Sequence, residues 1–269
     1  MTLTIANLLS TFLENLFGDH VNVRQKIKES SILLAGDTIV ADVRIGLRYT
    51  AVLLDNDRLG VAYTFHRDSI GGRIAFKGFR PLAGRRASEL LAMFDSTDKI
   101  ESAIALATSN ALSNTLKEDY LKGDTLEYLD LHPDDRVGMV GYFAPLIPNL
   151  RDKISSLIVF EQKEMLTDGV LPEEEAYKQL PLCQAAFITA TSILNHTIDA
   201  ILDAAQSCRE VVLLGSSTPL IPEVFKDTPV SVLSGVVVTR PEDMLRIVSE
   251  GGGMRFFKHN IQKVNIRLR

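Results

Sequence analysis

Cysteine is nearly absent from these 269 residues: Cys183 and Cys208 are the only two, 25 positions apart. That spacing has neither the C-x-x-C grammar of a redox site nor the paired spacing of a zinc site. Two half-buried thiols in a reducing cytoplasm are expected instead. Histidine is sparse as well. His20, His66, His132, His196 and His259 form no H-x-x-x-H or H-x-H pair, so the sequence assigns no metal ligand. There is no excess of positive charge either; the formal net charge is −5, which argues against a nucleic-acid partner. No apolar run approaches the ~20 residues needed to cross a bilayer. The opening Met1-Thr-Leu-Thr-Ile-Ala-Asn7 lacks a positive region and meets Glu14 soon after, so no secretion signal is expected and the chain reads as cytoplasmic. What remains is a globular composition, long enough for one large domain or two ordinary ones, and compatible with a homo-oligomer.

The first part of the chain reads as α+β. Residues 4–17 carry Ile5, Leu8, Leu9, Phe12, Leu13 and Leu16 on one helical side. Val21, Val23 and Ile27 fit a period-2 pattern with a polar miss at Gln25, which predicts a half-buried strand. A further strand is expected over 38–46. A hairpin over 49–54 and 60–65 follows, turned by Asp55-Asn-Asp-Arg58. Helices are predicted at 87–94 and 98–114, the second rich in alanine and so expected to pack closely on a sheet. A polar, acidic stretch over 115–135 marks the domain boundary, giving domains of 1–115 and 116–269.

Beyond it the chain alternates. Strands are expected near 136–141, 156–161, 184–189, 210–214 and 231–237. Helices should fall near 145–153, 174–180, 196–206, 219–226 and 241–250, and a last alternating run over 263–268 should close an edge. This is the α/β pattern of a Rossmann-like domain with a mostly parallel sheet.

The candidate chemistry lies in the loops that follow the strands. Gly215-Ser-Ser-Thr-Pro219 ends an apolar run and offers Ser216, Ser217 and Thr218, with Pro219 expected to head a helix. Hydroxyls and free amides there would cradle a polar or anionic ligand. Gly141, Tyr142 and Phe143 follow the first strand of the alternating part. They replace a G-x-G-x-x-G loop with bulky side chains, which disfavours ordinary NAD binding. Glu161, twenty residues after Gly141, stands where an acidic side chain can meet a ribose, with a solvent-facing polar residue at a strand end as the plainer explanation. Thr189 and Asn195 add neutral polar groups after the third strand, with a cap for a helix near His196 as the plainer explanation. Arg44, His66, Arg67, Asp68 and Asn110 of the first domain could close over the crevice, although surface charge is the simpler account of Arg44 and Asp68. No G-x-S-x-G elbow is present, and no residue reads as nucleophile or general base. Leu131-His-Pro-Asp-Asp-Arg-Val-Gly138 is similar to the lead-in of an S-adenosylmethionine motif whose glycine-rich turn is missing.

With these residues in view, the chain resembles the "putative heavy-metal chelation" family, a bacterial and archaeal group of unknown function. The marks are Asp135-Arg-Val-Gly-Met-Val-Gly-Tyr-Phe-Ala-Pro145, Phe160-Glu161, Leu194-Asn-His-Thr197, Val211-Val-Leu-Leu-Gly-Ser-Ser-Thr-Pro-Leu220 and Gly251-Gly-Gly253. In the first half they are Val40-Ala-Asp-Val-Arg-Ile-Gly46, Gly60-Val-Ala-Tyr63, Leu82-Ala-Gly84 and Asn110-Ala-Leu-Ser-Asn114. Family members often show Gly-Pro-Ser-Thr-Pro where this chain has Gly215-Ser-Ser-Thr-Pro219. The resemblance implies an enolase-N-terminal-like α+β domain followed by the Rossmann-like domain, with a ligand site between them. It carries no enolase catalysis, which belongs to a barrel domain absent here. Three functions stand open at this stage. One is a binder of a small polar ligand, such as a metal-chelating molecule or metal complex. The second is a transferase or oxidoreductase using S-adenosylmethionine or NAD, and the third is a non-catalytic ligand sensor.

Overall fold

The computed structural model describes residues 22–65, 79–162 and 169–269. The expected helix over 4–17 lies outside the described residues, as do His20, Val21, His66, Arg67 and Asp68. The chain divides into two units. Unit 1 comprises Met1–Leu116, Pro219–Phe225 and Val237–Gln262; unit 2 comprises Lys117–Thr218, Lys226–Val236 and Lys263–Arg269.

Unit 1 begins with a correction. Val23 and Ile27 sit in helix α1 (Val23–Ala35), not in a strand. Asn22 caps it, its side chain accepting from the Gln25 amide at 2.9 Å. The buried face is Val23, Arg24, Ile27, Ser30, Ser31 and Ala35, a spacing of three and four. Polar residues on that face hid the helical period. The Arg24 guanidinium is buried donating to the Phe94 carbonyl at 2.6 Å and to Ser102 Oγ at 3.3 Å, while the Ser31 and Ser109 hydroxyls share a hydrogen bond of 2.7 Å.

Strands β1 (Val40–Ile45), β2 (Tyr49–Leu54) and β3 (Leu59–Tyr63) form an antiparallel sheet in that order. Helices α2 (Ala87–Leu91) and α3 (Lys99–Ser113) follow, and Asp98 caps α3 by accepting from the Ile100 and Glu101 amides. The alanine-rich α3 lies tight on β3, as its composition implied. A Cβ on Gly60 would fall 2.1 Å from the Ala111 nitrogen, so only glycine fits.

Unit 2 carries most of an eight-stranded sheet, ordered β4-β11-β10-β9-β8-β5-β6-β7. Its strands are β4 (Leu121–Lys122), β5 (Arg136–Val140), β6 (Ser156–Glu161), β7 (Val170–Pro172), β8 (Ala185–Thr189), β9 (Glu210–Leu214), β10 (Val232–Val238) and β11 (Ile261–Arg267). Neighbours from β10 to β7 are parallel, whereas β11 pairs antiparallel with β4. Connecting helices include α4 (Ile147–Arg151), α5 (Ala176–Gln179) and α6 (Ile198–Ala204). Every residue of β9 is buried, which explains continuous apolar runs in place of alternation. Val137, Met139, Leu150, Phe187 and Val212 form the core. The short β4 and β7 lack a sequence signal, and β4 lies beyond β11, which therefore does not close the edge alone.

At the amino end of β9, the buried Glu210 accepts from Arg267 Nη2 at 2.7 Å and Nη1 at 3.0 Å, from the Ser231 hydroxyl, and from the Asp130 amide at 3.2 Å. This carboxylate ties β9 to β11 beneath β10.

The chain returns to unit 1 with α7 (Pro222–Phe225), α8 (Pro241–Ser249) and α9 (Met254–Phe257). Pro241 opens α8 as expected of an N1 proline. The helix expected from Pro219 begins only at Pro222 and is four residues long. Residues 219–221 are buried, and the Leu220 amide donates to Asn114 Oδ1 at 2.8 Å in place of a helical partner.

Candidate functional site

The sheet order has one reversal. From β5 the chain runs outward through β6 and β7, then returns to lay β8 on the other side of β5. Loops leaving β5 and β8 therefore diverge, and the crevice at such carboxyl ends is where open α/β sheets bind ligands. Five residues expected at the site, Gly141, Tyr142, Phe143, Thr189 and Asn195, lie in these two loops.

The two loops touch at their base. Gly141 has φ +91°, and a Cβ there would fall 2.9 Å from Thr189 Cβ and 3.0 Å from its methyl. Glycine thus serves both a left-handed turn and a close approach. The Gly141 amide donates to the Phe160 carbonyl at 2.8 Å, and the Tyr142 amide to Glu161 Oε2 at 2.9 Å. Glu161 Oε1 accepts from the Gln162 amide at 2.9 Å. Glu161, at the end of β6, therefore holds the β5 loop in place, and both amides following β5 are already engaged. Tyr142 projects its ring, 52% exposed, while Phe143 packs partly buried against the core.

After β8, Thr189 opens a short 3-10 turn over Ala190–Ile193, its side chain accepting from the Thr191 amide at 3.3 Å. The Thr189 and Thr191 hydroxyls share a hydrogen bond of 2.9 Å, and Ser192 Oγ donates to the Thr189 carbonyl at 2.6 Å. Helix α6 starts at Ile198, two residues later than His196. The Asn195 amide donates to the Thr191 carbonyl at 3.1 Å. Its side-chain Oδ1 is buried and meets no donor among the described residues. A buried acceptor without a donor is costly unless something supplies one.

At the end of β9, Gly215 has φ +122° and open space where a Cβ would lie. Its amide donates to the Ser234 carbonyl at 3.1 Å, and its carbonyl accepts from the Thr218 amide at 3.1 Å. Ser216, Ser217 and Thr218 are all buried. The helix-terminus cradle expected here lacks its helix, since α7 starts later and is too short to present a dipole. Asn110 lies in unit 1, buried in α3, and donates through Nδ2 to the Val61 carbonyl at 2.9 Å. Arg44 forms a forked pair with Asp42, with Nη2 to Oδ2 at 2.7 Å, and this hydrogen bond raises its pKa further.

One cluster has metal-ligand chemistry among the described residues. Ligand atoms of His132, Asp134 and Asp135 lie within 4.8 Å of one another. They stand at the amino end of β5, opposite the crevice. Asp135 is buried and accepts from the His132 amide and from Arg209 Nη2, each at 2.7 Å, so a guanidinium already compensates its charge. The sequence hid this cluster because no histidine pair marks it; the run Leu131-His-Pro-Asp-Asp135 was the available signal. The thiols do not complete a soft-metal site. Burial pushes Cys183 up, and burial followed by the neighbouring Cys183 pushes Cys208 up to about 12. Soft metals bind thiolates, so a soft metal at these buried residues would have to displace their protons.

Comparison with known proteins gives a consistent picture. A family model described as "Putative heavy-metal chelation" matches residues 124–267, and a second model of the same description matches residues 29–113. An uncharacterized protein of Methanocaldococcus jannaschii is 27% identical over 257 residues, covering 91% of this chain and 97% of that protein. A crystal structure from Pyrococcus horikoshii, of a DUF364-family protein with unknown function, is 26% identical. It covers 91% of this chain and all of that one, with a TM-score of 0.81. A Desulfitobacterium hafniense protein of the same family shares the fold at 23% identity and a TM-score of 0.76, covering 90% of this chain and 98% of that one.

Proposed function

This chain belongs to the DUF364 family, and we propose that its parallel-sheet unit binds a small polar ligand at the carboxyl ends of β5, β6, β8 and β9. The observation that carries the reading is Asn195 Oδ1, a buried acceptor without a donor in the loop after β8. The ligand supplies that donor through an N–H or O–H group. Tyr142 gives it a stacking face, and the opening at Gly215 lets it approach backbone and reach Ser216, Ser217 and Thr218. Glu161 is the charged group among these residues, and it leaves a lone pair on each oxygen for an N–H, O–H or cationic edge. A metal complex of an organic chelator fits this set better than a bare ion, because the donors are neutral oxygens and one carboxylate.

We read the three-stranded antiparallel sheet and helices of unit 1 as the enolase-N-like part, and the protein as cytoplasmic. Among the described residues no helix is long and apolar enough to cross a membrane. A nucleotide cofactor has less support, since the Gly141 and Tyr142 amides that follow β5 are both spent.

Native mass spectrometry of protein purified without chelators or added metal tests the reading. A stoichiometric extra mass, lost on denaturation and lost in Tyr142→Ala and Asn195→Ala, is expected. The same mass retained by both variants places the ligand elsewhere, and a nucleotide mass favours the enzyme.

A further inference from the structure

The loops at the carboxyl ends of β5, β8 and β9 contain no Lys, Arg, Asp or Glu over residues 141–146, 190–197 and 215–221. The permanent charge beside them is Glu161, half-buried at the end of β6. Its two oxygens accept from the Tyr142 and Gln162 amides, each at 2.9 Å. Amides hold a carboxylate in place but bring no net charge to it, and no ion pair among the described residues engages Glu161. An oriented, uncompensated carboxylate in loops without a basic residue repels an anion and attracts a cation.

Two neighbours of that carboxylate favour the same sign. The Tyr142 ring is carried by the residue whose amide Glu161 holds, and it is exposed; an aromatic face attracts a cation placed over it. Asn195 Oδ1 is the buried acceptor without a donor, and it asks for an N–H or O–H. Its loop is tied back to the same place. The Asn195 amide donates to the Thr191 carbonyl at 3.1 Å, the Thr191 amide to the Thr189 hydroxyl at 3.3 Å, and Thr189 is the residue that meets Gly141.

We infer that the ligand enters these loops with a protonated amine, so that its class is an organic ammonium compound and not a phosphate or a carboxylate. The inference rests on the crevice reading above and narrows it. An ammonium group presents three N–H donors. One goes to a Glu161 oxygen, one to Asn195 Oδ1 and the third to a hydroxyl or water, with the Tyr142 ring against the charge or the carbon next to it. A bare divalent ion fits less well. It takes about six oxygen ligands or more, and the carboxylate here already accepts an amide on each oxygen.

Three probes with one carbon chain, hexylamine, hexanol and hexanoate, test it by ligand-observed NMR on the full chain at neutral pH. Hexylamine is expected to bind about tenfold more tightly than hexanol, and hexanoate not to bind. Added salt should weaken the amine alone. Tyr142→Phe keeps the ring and should keep the amine; Tyr142→Leu and Asn195→Ala should each weaken it about tenfold. Glu161→Gln decides the point. It should bring the amine-to-alcohol ratio to near one, whereas a loosened loop would weaken both probes alike. Hexanoate bound more tightly than hexylamine, and lost in Tyr142→Leu, overturns the inference while leaving the crevice reading in place. Hexylamine held equally by wild type, Tyr142→Leu and Asn195→Ala overturns it too, as does a ratio unchanged in Glu161→Gln or binding of none of the three. The crevice reading is judged apart from these, by the mass in the native spectrum and its dependence on Tyr142 and Asn195.

Discussion

Gly141 and Thr189 meet so closely that a single added carbon at position 141 would come within 2.9 Å of the threonine Cβ. The contact joins the two loops that diverge around the reversal of the sheet, and it occurs at a left-handed backbone position. Gly141→Ala is therefore expected to cost about 2 kcal/mol, from backbone strain and overpacking together. Urea unfolding measures it. Thr189→Ser removes the methyl at 3.0 Å and should recover part of the loss in the double variant. No recovery would mean that the backbone angle and the remaining 2.9 Å contact with the Cβ set the cost.

Glu161 separates structure from binding. Its Oε2 holds the Tyr142 amide and its Oε1 the Gln162 amide, each at 2.9 Å, and a glutamine oxygen can replace only one of these. Glu161→Gln should therefore cost part of the about 1 kcal/mol expected of Glu161→Ala, read as a smaller fall in melting temperature. If the ligand uses the carboxylate's charge, Glu161→Gln also loses the bound mass. Retention of that mass would restrict Glu161 to holding the loop.

Glu210 is the buried charge whose removal should be felt most. Glu210→Ala leaves the Arg267 guanidinium and the Ser231 hydroxyl without their acceptor, though Arg267 is partly exposed and can turn to water. A loss of about 2–3 kcal/mol is expected in urea unfolding, below the full cost of a pair buried on both sides. A loss under about 1 kcal/mol would show that water replaces the carboxylate freely.

Cys208 should make stability fall in alkali. Its folded pKa is raised by burial to about 12 from an ordinary value of 9.0. The unfolded chain therefore releases this proton first. The stabilising effect is complete below the unfolded pKa and is lost as pH rises from 9.0 toward about 12. Cys208→Ala should flatten that part of the stability curve. In the native protein at pH ~8, both thiols should resist a thiol reagent that labels them in denaturant.

The alternating part of the chain was legible because strands such as Val211–Leu214 are buried on both faces and advertise themselves as unbroken apolar runs. Gly141 before the bulky Tyr142 and Phe143, and Gly215 before three hydroxyl residues, marked the loops after β5 and β9. What escaped was set by partners far along the chain. Arg24 and Ser31 belong to a buried helical face only because Phe94 and Ser109 receive them, so α1 looked like a strand. Local sequence puts Pro219 at the head of a helix, yet Asn114, more than a hundred positions earlier, takes the Leu220 amide. Glu161 was found as a polar strand end, but its tie to Tyr142 exists only once β6 lies beside β5. Local grammar located the loops that follow the strands, and distant pairing decided which of their groups are already engaged.

The way unit 1 is threaded bears on how this chain is made. Its hairpin stands early in the sequence, yet Gly46 fits against the Val248 carbonyl with room for no side chain, and α7, α8 and α9 all come after residue 218. Synthesis proceeds from the amino end at about 5–20 residues per second. The early hairpin and α3 thus leave the ribosome many seconds before the segments that complete their unit. During that interval the apolar surface that α8 will cover is open to solvent, and the sheet of unit 2 must form from the intervening chain. Folding of unit 1 is a closing event, and a chain stalled before α8 would be left as a target for chaperones and proteases.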